Sequence, residues 1–256
     1  MSTDYRRLFD MSGRVVVITG GTRGIGRALA EGYLAARARV VVVSRTSEAC
    51  RETEEYLRSQ GGDAIGIPAD VGRLEDLAPI VARTVATFGA LDVLVNNAGT
   101  GPRHKVGKYQ YDDWQQVFAV NAVGPVFLIQ EALPYLKRSD HAAVLNILSS
   151  GAFLSSEQFP IYAASKAALF AHTRSAAAEL AQFGIRVNAI APGPFATETL
   201  GTQSQAVQNF AASLTFQKRI ADPSEAVGAA LLLTSDAGSF ITGQVLMVDG
   251  GIVTAR

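Results

Sequence analysis

The sequence of 256 residues predicts a doubly wound α/β fold, in which about seven parallel strands carry helices on both faces. Short runs of apolar, β-branched residues alternate with longer stretches of helix-forming composition. Two of these runs, Val15–Thr19 and Val40–Ser44, are apolar at consecutive positions, as expected for parallel strands that are covered on both faces. No linker, repeat or change of composition divides the chain, so we expect a single domain over 1–256.

The other predicted strands follow the same pattern. Strands are predicted at Val15–Thr19, Val40–Ser44, Ala64–Pro68, Val93–Asn96, Ala143–Ser149, Arg186–Ala191 and Val245–Val248. Helices are predicted at about 24–37, 47–60, 73–88, 112–137, 160–183 and 223–235. The segment 195–220 is rich in Thr, Ser and Gln and has no strong strand pattern. Because ligands bind at the carboxyl edge of a parallel sheet, we expect this segment to be a substrate lid, with an ordinary surface helix pair as the alternative.

The composition excludes several classes of partner. The chain has 23 basic and 23 acidic side chains, whereas nucleic acids and anionic membranes select a basic face. With Cys50 as its one cysteine, the chain is expected to have neither a disulfide framework nor a metal site. No apolar run approaches the roughly 18 residues of a membrane span, and the first ten residues do not resemble a secretory signal. We expect a cytoplasmic protein that binds neither nucleic acid nor membrane.

A glycine-rich turn, Thr19–Gly26 (TGGTRGIG), follows the first predicted strand and precedes a predicted helix. Such a turn lets the backbone approach a diphosphate and points the N-terminus of a helix at it. The spacing G-x-x-x-G-x-G differs from the form G-x-G-x-x-G, and a plain strand-to-helix turn is the alternative. The position directly after a buried strand favours a dinucleotide site.

The end of the second strand indicates which dinucleotide is bound. An NAD site usually has a carboxylate there for the ribose 2′-hydroxyl, but this chain has Ser44 and Arg45. A guanidinium group can bind a 2′-phosphate through two hydrogen bonds, and Arg23 could add a second positive charge. NADP(H) is therefore preferred and NAD(H) is the second choice, unless both arginines are simply solvated.

A tyrosine and a lysine four residues apart, Tyr162 and Lys166, open the helix after the fifth strand. They share one helix face, and a lysine cation close to a phenol lowers its pKa towards the working range of an acid–base group. The pair gains weight from Ser149, which lies thirteen residues before Tyr162 at the end of a buried strand.

Taken together, these motifs resemble the short-chain dehydrogenase/reductase family, in its NADP(H)-preferring branch with a single Rossmann-type domain. The resemblance runs from about residue 12 to Gly251. The residues that carry it are Thr19–Gly26 (TGGTRGIG), Asn96–Gly99 (NNAG), Asn121, Ser149, Tyr162, Lys166 and Pro192-Gly193.

The resemblance implies a role for each catalytic position. Tyr162 is the general acid in carbonyl reduction and the base in alcohol oxidation. Lys166 holds the nicotinamide ribose and lowers the pKa of Tyr162. Ser149 binds the substrate oxygen, with Ser150 as the competing choice, and Asn121 anchors a water relay to the lysine.

The resemblance also implies the cofactor contacts. Asp70 meets the adenine amino group with Val71 packed nearby, and a helix N-cap is the alternative role of Asp70. The segment from Pro192 to Thr197 holds the nicotinamide amide. Together with the glycine-rich turn and the end of the second strand, the full predicted set is Gly20, Thr22, Arg23, Gly24, Ile25, Gly26, Ser44, Arg45, Asp70, Val71, Asn97, Ala98, Gly99, Tyr162, Lys166, Pro192, Gly193 and Thr197.

Two other functions remain open from the sequence. One is a 3-oxoacyl reductase, although Phe183 stands before Gly184 where relatives that accept carrier-protein thioesters often have a basic residue. The other is a non-catalytic nucleotide-binding scaffold, which usually lacks the tyrosine or the lysine.

The loop at 103–108 with His104 is expected to be exposed, or else to contact an anionic substrate. The resemblance implies that the alanine-rich helix from Ala163 to Ala181 and the helix before it, at about 112–137, form the interface of a homotetramer or homodimer.

Overall fold

Seven strands form one parallel sheet in a computed structural model that describes residues 5–102 and 104–254. They are β1 (Val15–Thr19), β2 (Arg39–Ser44), β3 (Ala64–Pro68), β4 (Val93–Asn96), β5 (Ala143–Ile147), β6 (Arg186–Pro192) and β7 (Val245–Val248). Their order in the sheet is β3-β2-β1-β4-β5-β6-β7. The order reverses between β1 and β4, and the crevice above such a reversal is where α/β sheets bind ligands.

Helices connect the strands and cover both faces of the sheet. They are α1 (Gly24–Ala35), α2 (Ser47–Ser59), α3 (Leu77–Phe88), α4 (Tyr111–Phe118), α5 (Gly124–Leu136), α6 (Pro160–Leu180), α7 (Glu198–Gly201), α8 (Gln205–Ser213) and α9 (Val227–Thr234).

Alternate residues of the strands enter two different cores. Val15 and Val17 of β1 pack on the face that is covered by α3, α5 and α6. Val16 and Ile18 pack on the opposite face, against α1 and α9. This arrangement explains why β1 is apolar at consecutive positions, and it confirms the predicted doubly wound sheet.

Several element boundaries differ from the prediction. Strand β5 ends at Ile147, because Ser149 begins a 3-10 turn and its Oγ accepts a hydrogen bond from the N–H of Gly151 at 3.1 Å. Helix α3 begins at Leu77 after a separate 3-10 turn. The helix predicted at 112–137 is divided by a π-helical turn at Ala119–Val123, which separates α4 from α5.

The helical run from Tyr111 to Leu136 is long and apolar enough to cross a membrane, which differs from the sequence-based expectation. Within the fold it packs on the sheet, and Leu128, Ile129 and Leu136 are part of the core. Its apolar composition is therefore explained by burial within the domain.

The segment 195–220 contains the two short helices α7 and α8. Phe195 at its start is buried and pairs with Ala221 beyond its end, so both ends of the segment are joined. Helix α8, which lies wholly within the described residues, has no buried side chain. The segment is thus attached at its base and exposed at its middle, and both interpretations of it made from the sequence stay open.

Candidate active site

The glycine-rich turn lies between β1 and α1 at the carboxyl end of the sheet. The N–H groups of Gly20 and Gly21 donate to the carbonyl of Val43 at 2.8 and 3.3 Å, which ties the turn to β2. Helix α1 begins at Gly24 after Arg23, and no side chain among the described residues caps its first turn. The free N–H groups of this twelve-residue helix can therefore bind an anion.

Glycine is required at Gly26 because two chain segments meet there. A β-carbon at this position would lie 2.1 Å from the carbonyl oxygen of Gly20 and 2.4 Å from Nδ2 of Asn97. Asn97 Nδ2 donates to the carbonyl of Thr19 at 2.8 Å, and Thr19 Oγ1 accepts from the N–H groups of Asn97 and Ala98 at 3.0 Å. The structure thus brings the NNAG turn against the glycine-rich turn.

The two predicted phosphate-binding arginines have different surroundings. Arg45 is exposed just beyond the end of β2, next to Ser44. Arg23 is also exposed, and its Nη1 donates to Oε2 of Glu198 in α7 at 2.9 Å. The sequence analysis missed Glu198, because it lies 175 residues from Arg23 and belongs to no local motif.

Asp70 closes a turn after β3 and is not a helix N-cap. Its Oδ1 accepts from the N–H of Gly72 at 2.9 Å, and its own N–H donates to Asp76 at 2.8 Å. Arg73 is the residue that precedes the following 3-10 turn, so the N-cap alternative for Asp70 is wrong. Val71 is buried, and its carbonyl oxygen would lie 2.1 Å from a β-carbon on Gly124.

The segment after β6 crosses towards the glycine-rich turn. Gly193 donates its N–H to Val248 at 3.0 Å, and a β-carbon there would lie 2.7 Å from Cα of Asp249. Further along, the side chain of Thr197 lies over Gly24, where a β-carbon would be 3.2 Å from Cγ2 of the threonine. The predicted Pro192–Thr197 segment and the predicted phosphate turn therefore share one cleft.

Three of the four predicted catalytic residues meet where β5 ends. Ser149 follows the strand, and Tyr162 is the third residue of α6 with Lys166 one turn later. Ser149 lies close enough to Tyr162 for hydrogen bonding by its side chain to lower the pKa of the Tyr162 phenol. Lys166 Nζ donates to the carbonyl of Ile147 at 2.7 Å and lies 5.7 Å from the centre of the Tyr162 ring.

The electrostatics of these groups differ from the prediction. Burial raises the pKa of Tyr162, and the hydrogen bond with Ser149 lowers it by a smaller amount. Burial also lowers the pKa of the Lys166 ammonium group to about 8. Lys166 was expected to lower the pKa of Tyr162, but that pKa is raised and only Ser149 lowers it. The reason is that desolvation disfavours the charged form of both groups.

Asn121, the fourth predicted residue, lies in the π-helical turn and is fully buried. Its Oδ1 accepts from the N–H of Thr100 at 2.8 Å, and its Nδ2 donates to the carbonyl of Thr100 at 2.8 Å. The same Nδ2 donates to Oγ of Ser165 at 2.9 Å. The side chain thus connects the loop after the NNAG turn to α6.

His104 and two phenylalanines near the site contact other parts of the fold. His104 Nε2 lies 2.8 Å from Oδ2 of Asp113, which attaches the loop to α4, while Arg103 lies outside the described residues. Phe153 packs against Phe170 with ring centres 5.0 Å apart. Phe195 is 4% exposed and belongs to the core.

Comparison with protein families places the chain among oxidoreductases. A family model described as enoyl-(acyl carrier protein) reductase matches residues 20–253. The 5-keto-D-gluconate 5-reductase of Escherichia coli strain K12 is 35% identical over 251 residues, which cover 97% of this chain and 98% of that protein. The 3-oxoacyl-(acyl-carrier-protein) reductase of rhamnolipid biosynthesis from Pseudomonas aeruginosa is 39% identical over 252 residues, with coverage of 95% and 97%.

Solved structures resemble the fold over its whole length. A gluconate 5-dehydrogenase from Burkholderia cenocepacia J2315 in complex with NADP and tartrate has a TM-score of 0.92 at 32% identity and covers 97% of this chain and 98% of its own. The RhlG/NADP active-site complex of Pseudomonas aeruginosa has a TM-score of 0.91 at 35% identity, with coverage of 96% and 98%.

Proposed function

The chain belongs to the short-chain dehydrogenase/reductase family, and we propose that it is an NADP(H)-dependent enzyme that interconverts a carbonyl and a secondary alcohol. The observation that carries the proposal is the convergence of Ser149, Tyr162 and Lys166 at the end of β5, beside the cleft formed by the glycine-rich turn.

The cleft fits a dinucleotide because its anion-binding groups are available. The uncapped N-terminus of α1 offers N–H groups at Gly24, Ile25 and Gly26 to a diphosphate. We assign Arg45, with Arg23, to the 2′-phosphate of NADP(H). The NADP complexes of two related structures support this choice, and NAD(H) is the weaker ligand.

The other cofactor contacts follow the predicted positions. Gly20 and Thr22 lie in the same turn as Arg23, and Ser44 lies beside Arg45. Asp70 and Val71 are assigned to the adenine and Asn97, Ala98 and Gly99 to the adenosine side, while Pro192, Gly193 and Thr197 are assigned to the nicotinamide amide. The bound nicotinamide supplies the hydride chemistry, and the protein supplies orientation and charge.

Proton transfer is the task of the chain's own residues. In carbonyl reduction, Tyr162 Oη donates its proton to the substrate oxygen and becomes a phenolate, and in alcohol oxidation it accepts that proton. Ser149 Oγ donates a hydrogen bond to the same oxygen and stabilises its developing charge. Lys166 is held at the carbonyl of Ile147, where its ammonium group can stabilise the phenolate and bind ribose hydroxyls.

Removal of the hydroxyl group of Tyr162 tests this mechanism. Tyr162→Phe should abolish turnover with NADPH while NADPH binding, followed by nucleotide fluorescence, stays intact. Tyr5→Phe is the matched control, since Tyr5 is 71% exposed near the N-terminus and should leave turnover unchanged. Turnover that survives Tyr162→Phe would overturn the mechanism. Turnover that is absent from the parent enzyme across a broad substrate panel would favour the scaffold alternative.

A 3-oxoacyl reductase is the second candidate, and one contact favours it. The sequence shows no basic residue before Gly184, but the ammonium group of Lys137 lies 3.6 Å from the centre of the Phe183 ring. A cation therefore occupies this surface through the tertiary structure. A panel of 5-keto-D-gluconate, 3-oxoacyl thioesters of coenzyme A and of acyl carrier protein, and simple ketones separates the candidates by kcat/KM.

We also propose a homotetramer, or a homodimer, formed through α4, α5 and α6. Trp114 in α4, Val123 in the π-helical turn and Phe127 in α5 are each 38% exposed. The outer face of α6 presents the small residues Ala168 and Ala171, which permit close helix packing. Light scattering after size exclusion measures the mass.

We further propose that 195–220 is the substrate lid, because Thr197 and Glu198 contact the glycine-rich turn while α8 stays exposed. If the segment is a lid, proteolysis within it should be slower when NADPH is bound.

One free, buried cysteine, Cys50, suits the cytoplasmic location that we propose.

A further inference from the structure

Gly101 lies against the proposed catalytic tyrosine more closely than any residue with a side chain could. A β-carbon at this position would lie 2.8 Å from Cβ, 3.0 Å from Cδ2 and 3.1 Å from Cγ of Tyr162. The φ angle of Gly101 is not positive, so the backbone conformation does not require glycine there. The contact involves the base of the Tyr162 side chain, next to the backbone of α6, and this part of the side chain cannot swing aside.

The position of Gly101 is held by a chain of buried hydrogen bonds. Asn121 binds both the N–H and the carbonyl of Thr100, each at 2.8 Å, and so fixes the peptide next to Gly101. Asn121 also donates to Ser165, whose hydroxyl donates to the backbone carbonyl of Tyr162 at 2.7 Å. Asn121 and Ser165 are fully buried. The loop and the tyrosine are therefore positioned by one connected network.

We propose that Gly101 is a positioning residue for the reaction, whose bare backbone forms the wall that directs the Tyr162 ring towards Ser149 and the substrate oxygen. The inference rests on the proposed function, because ring position has a kinetic consequence only where the phenol transfers a proton. Proton transfer requires heavy atoms within hydrogen-bond reach, so a small displacement of the ring is costly.

Gly101→Ala tests the proposal. We expect kcat for reduction of 5-keto-D-gluconate, or of the 3-oxoacyl thioester if the panel selects it, to fall about 10- to 100-fold. NADPH affinity should not change, because the methyl group faces Tyr162. Tyrosinate absorbance, taken as the difference from the same protein with Tyr162→Phe, should show Tyr162 ionising at higher pH in the NADP complex. The reason is that the displaced ring loses the hydrogen bond with Ser149 that lowers its pKa.

Three further variants separate positioning from general destabilisation. Gly228→Ala places the same methyl group in open space and should leave both kcat and the ionisation of Tyr162 unchanged. Thr100→Ala keeps the two backbone bonds to Asn121 and should do the same. Ser165→Ala removes the hydroxyl that links Asn121 to Tyr162 without adding bulk, so it should move both readouts in the direction of Gly101→Ala by a smaller amount. It also serves as the test if Gly101→Ala fails to fold.

The outcomes are distinguishable from failure of the proposed function. If Gly101→Ala binds NADPH and keeps the parent kcat and the parent ionisation of Tyr162, the positioning role is wrong while the tyrosine mechanism stands. If Gly101→Ala does not fold, the test passes to Ser165→Ala. In that case, the same kcat and the same Tyr162 ionisation as in the parent enzyme would overturn the positioning role of Gly101. If Tyr162→Phe keeps turnover, the mechanism itself is wrong.

Discussion

The guanidinium group of Arg23 donates a hydrogen bond to the carboxylate of Glu198 at 2.9 Å and so joins the glycine-rich turn to helix α7. Both side chains are largely exposed, at 68% and 63%. Exposed ion pairs contribute little, typically about 0.2–1 kcal/mol, so an anionic ligand can displace the carboxylate. In the proposed cofactor site, the 2′-phosphate of NADP(H) and Glu198 compete for Arg23.

Glu198→Gln should therefore strengthen NADPH binding by about 1.4- to 5-fold, the range that corresponds to a released surface ion pair. NADH binding should not change, because NADH has no 2′-phosphate. Fluorescence titration at low ionic strength measures both affinities. Glu179→Gln makes the same carboxylate-to-amide change at an exposed position of α6 and is the control. Equal changes for the two nucleotides would contradict the competition.

Arg45→Asp should weaken NADPH binding by about 10- to 100-fold, the value of one or two charge-assisted hydrogen bonds, and shift the preference towards NADH. The new carboxylate repels the 2′-phosphate and can accept from the ribose hydroxyls of NADH. Steady-state kcat/KM with each nucleotide is the measurement, and Arg138→Asp in the exposed turn after α5 is the control. Equal efficiencies of the parent enzyme with both nucleotides would remove the basis for this assignment.

Ser149→Ala should lower kcat by about 10²- to 10³-fold, since it removes a donor to the developing oxyanion. The substitution also removes the hydrogen bond that lowers the pKa of Tyr162. In alcohol oxidation the phenol must be deprotonated, so the rise of the rate with pH should move to higher pH. Ser150→Ala is the control, and a larger loss there than at Ser149 would exchange the roles of the two serines.

Lys166→Met should abolish turnover and make the fold more stable at pH 7. Burial lowers the pKa of Lys166 to about 8 from 10.5, so the folded chain carries a disfavoured charge below pH 8 that the unfolded chain carries at no cost. This cost disappears as the pH rises from 8 to 10.5.

Lys166→Met should raise the free energy of unfolding by about 1–3 kcal/mol at pH 7, and by less towards pH 10. Urea unfolding at the two pH values measures it, with the exposed Lys105→Met as the control. A gain that does not depend on pH would show that charge burial is not its cause.

The elements of the fold could be predicted because their causes are local. The residues of β1 and β2 are apolar on both faces, and this pattern alone indicates buried parallel strands. The spacing of Ser149, Tyr162 and Lys166 likewise predicts one site, since one helical turn separates two of them and the third ends a strand. The strand end at Ser149 was less predictable, because a side-chain hydrogen bond to Gly151 terminates β5 early.

By itself, the sequence determined the alternation of strands and helices, the position of the glycine-rich turn and the spacing of the candidate catalytic residues. Only the tertiary structure decided which distant residues meet. Glu198 reaches Arg23 across 175 positions, and the backbone of Gly101 lies directly against the side chain of Tyr162. The pKa of Tyr162 was also decided at this level, because desolvation depends on what the assembled chain packs around the phenol. Local patterns follow from neighbouring residues, whereas burial and long-range contacts exist only once the whole sheet is formed.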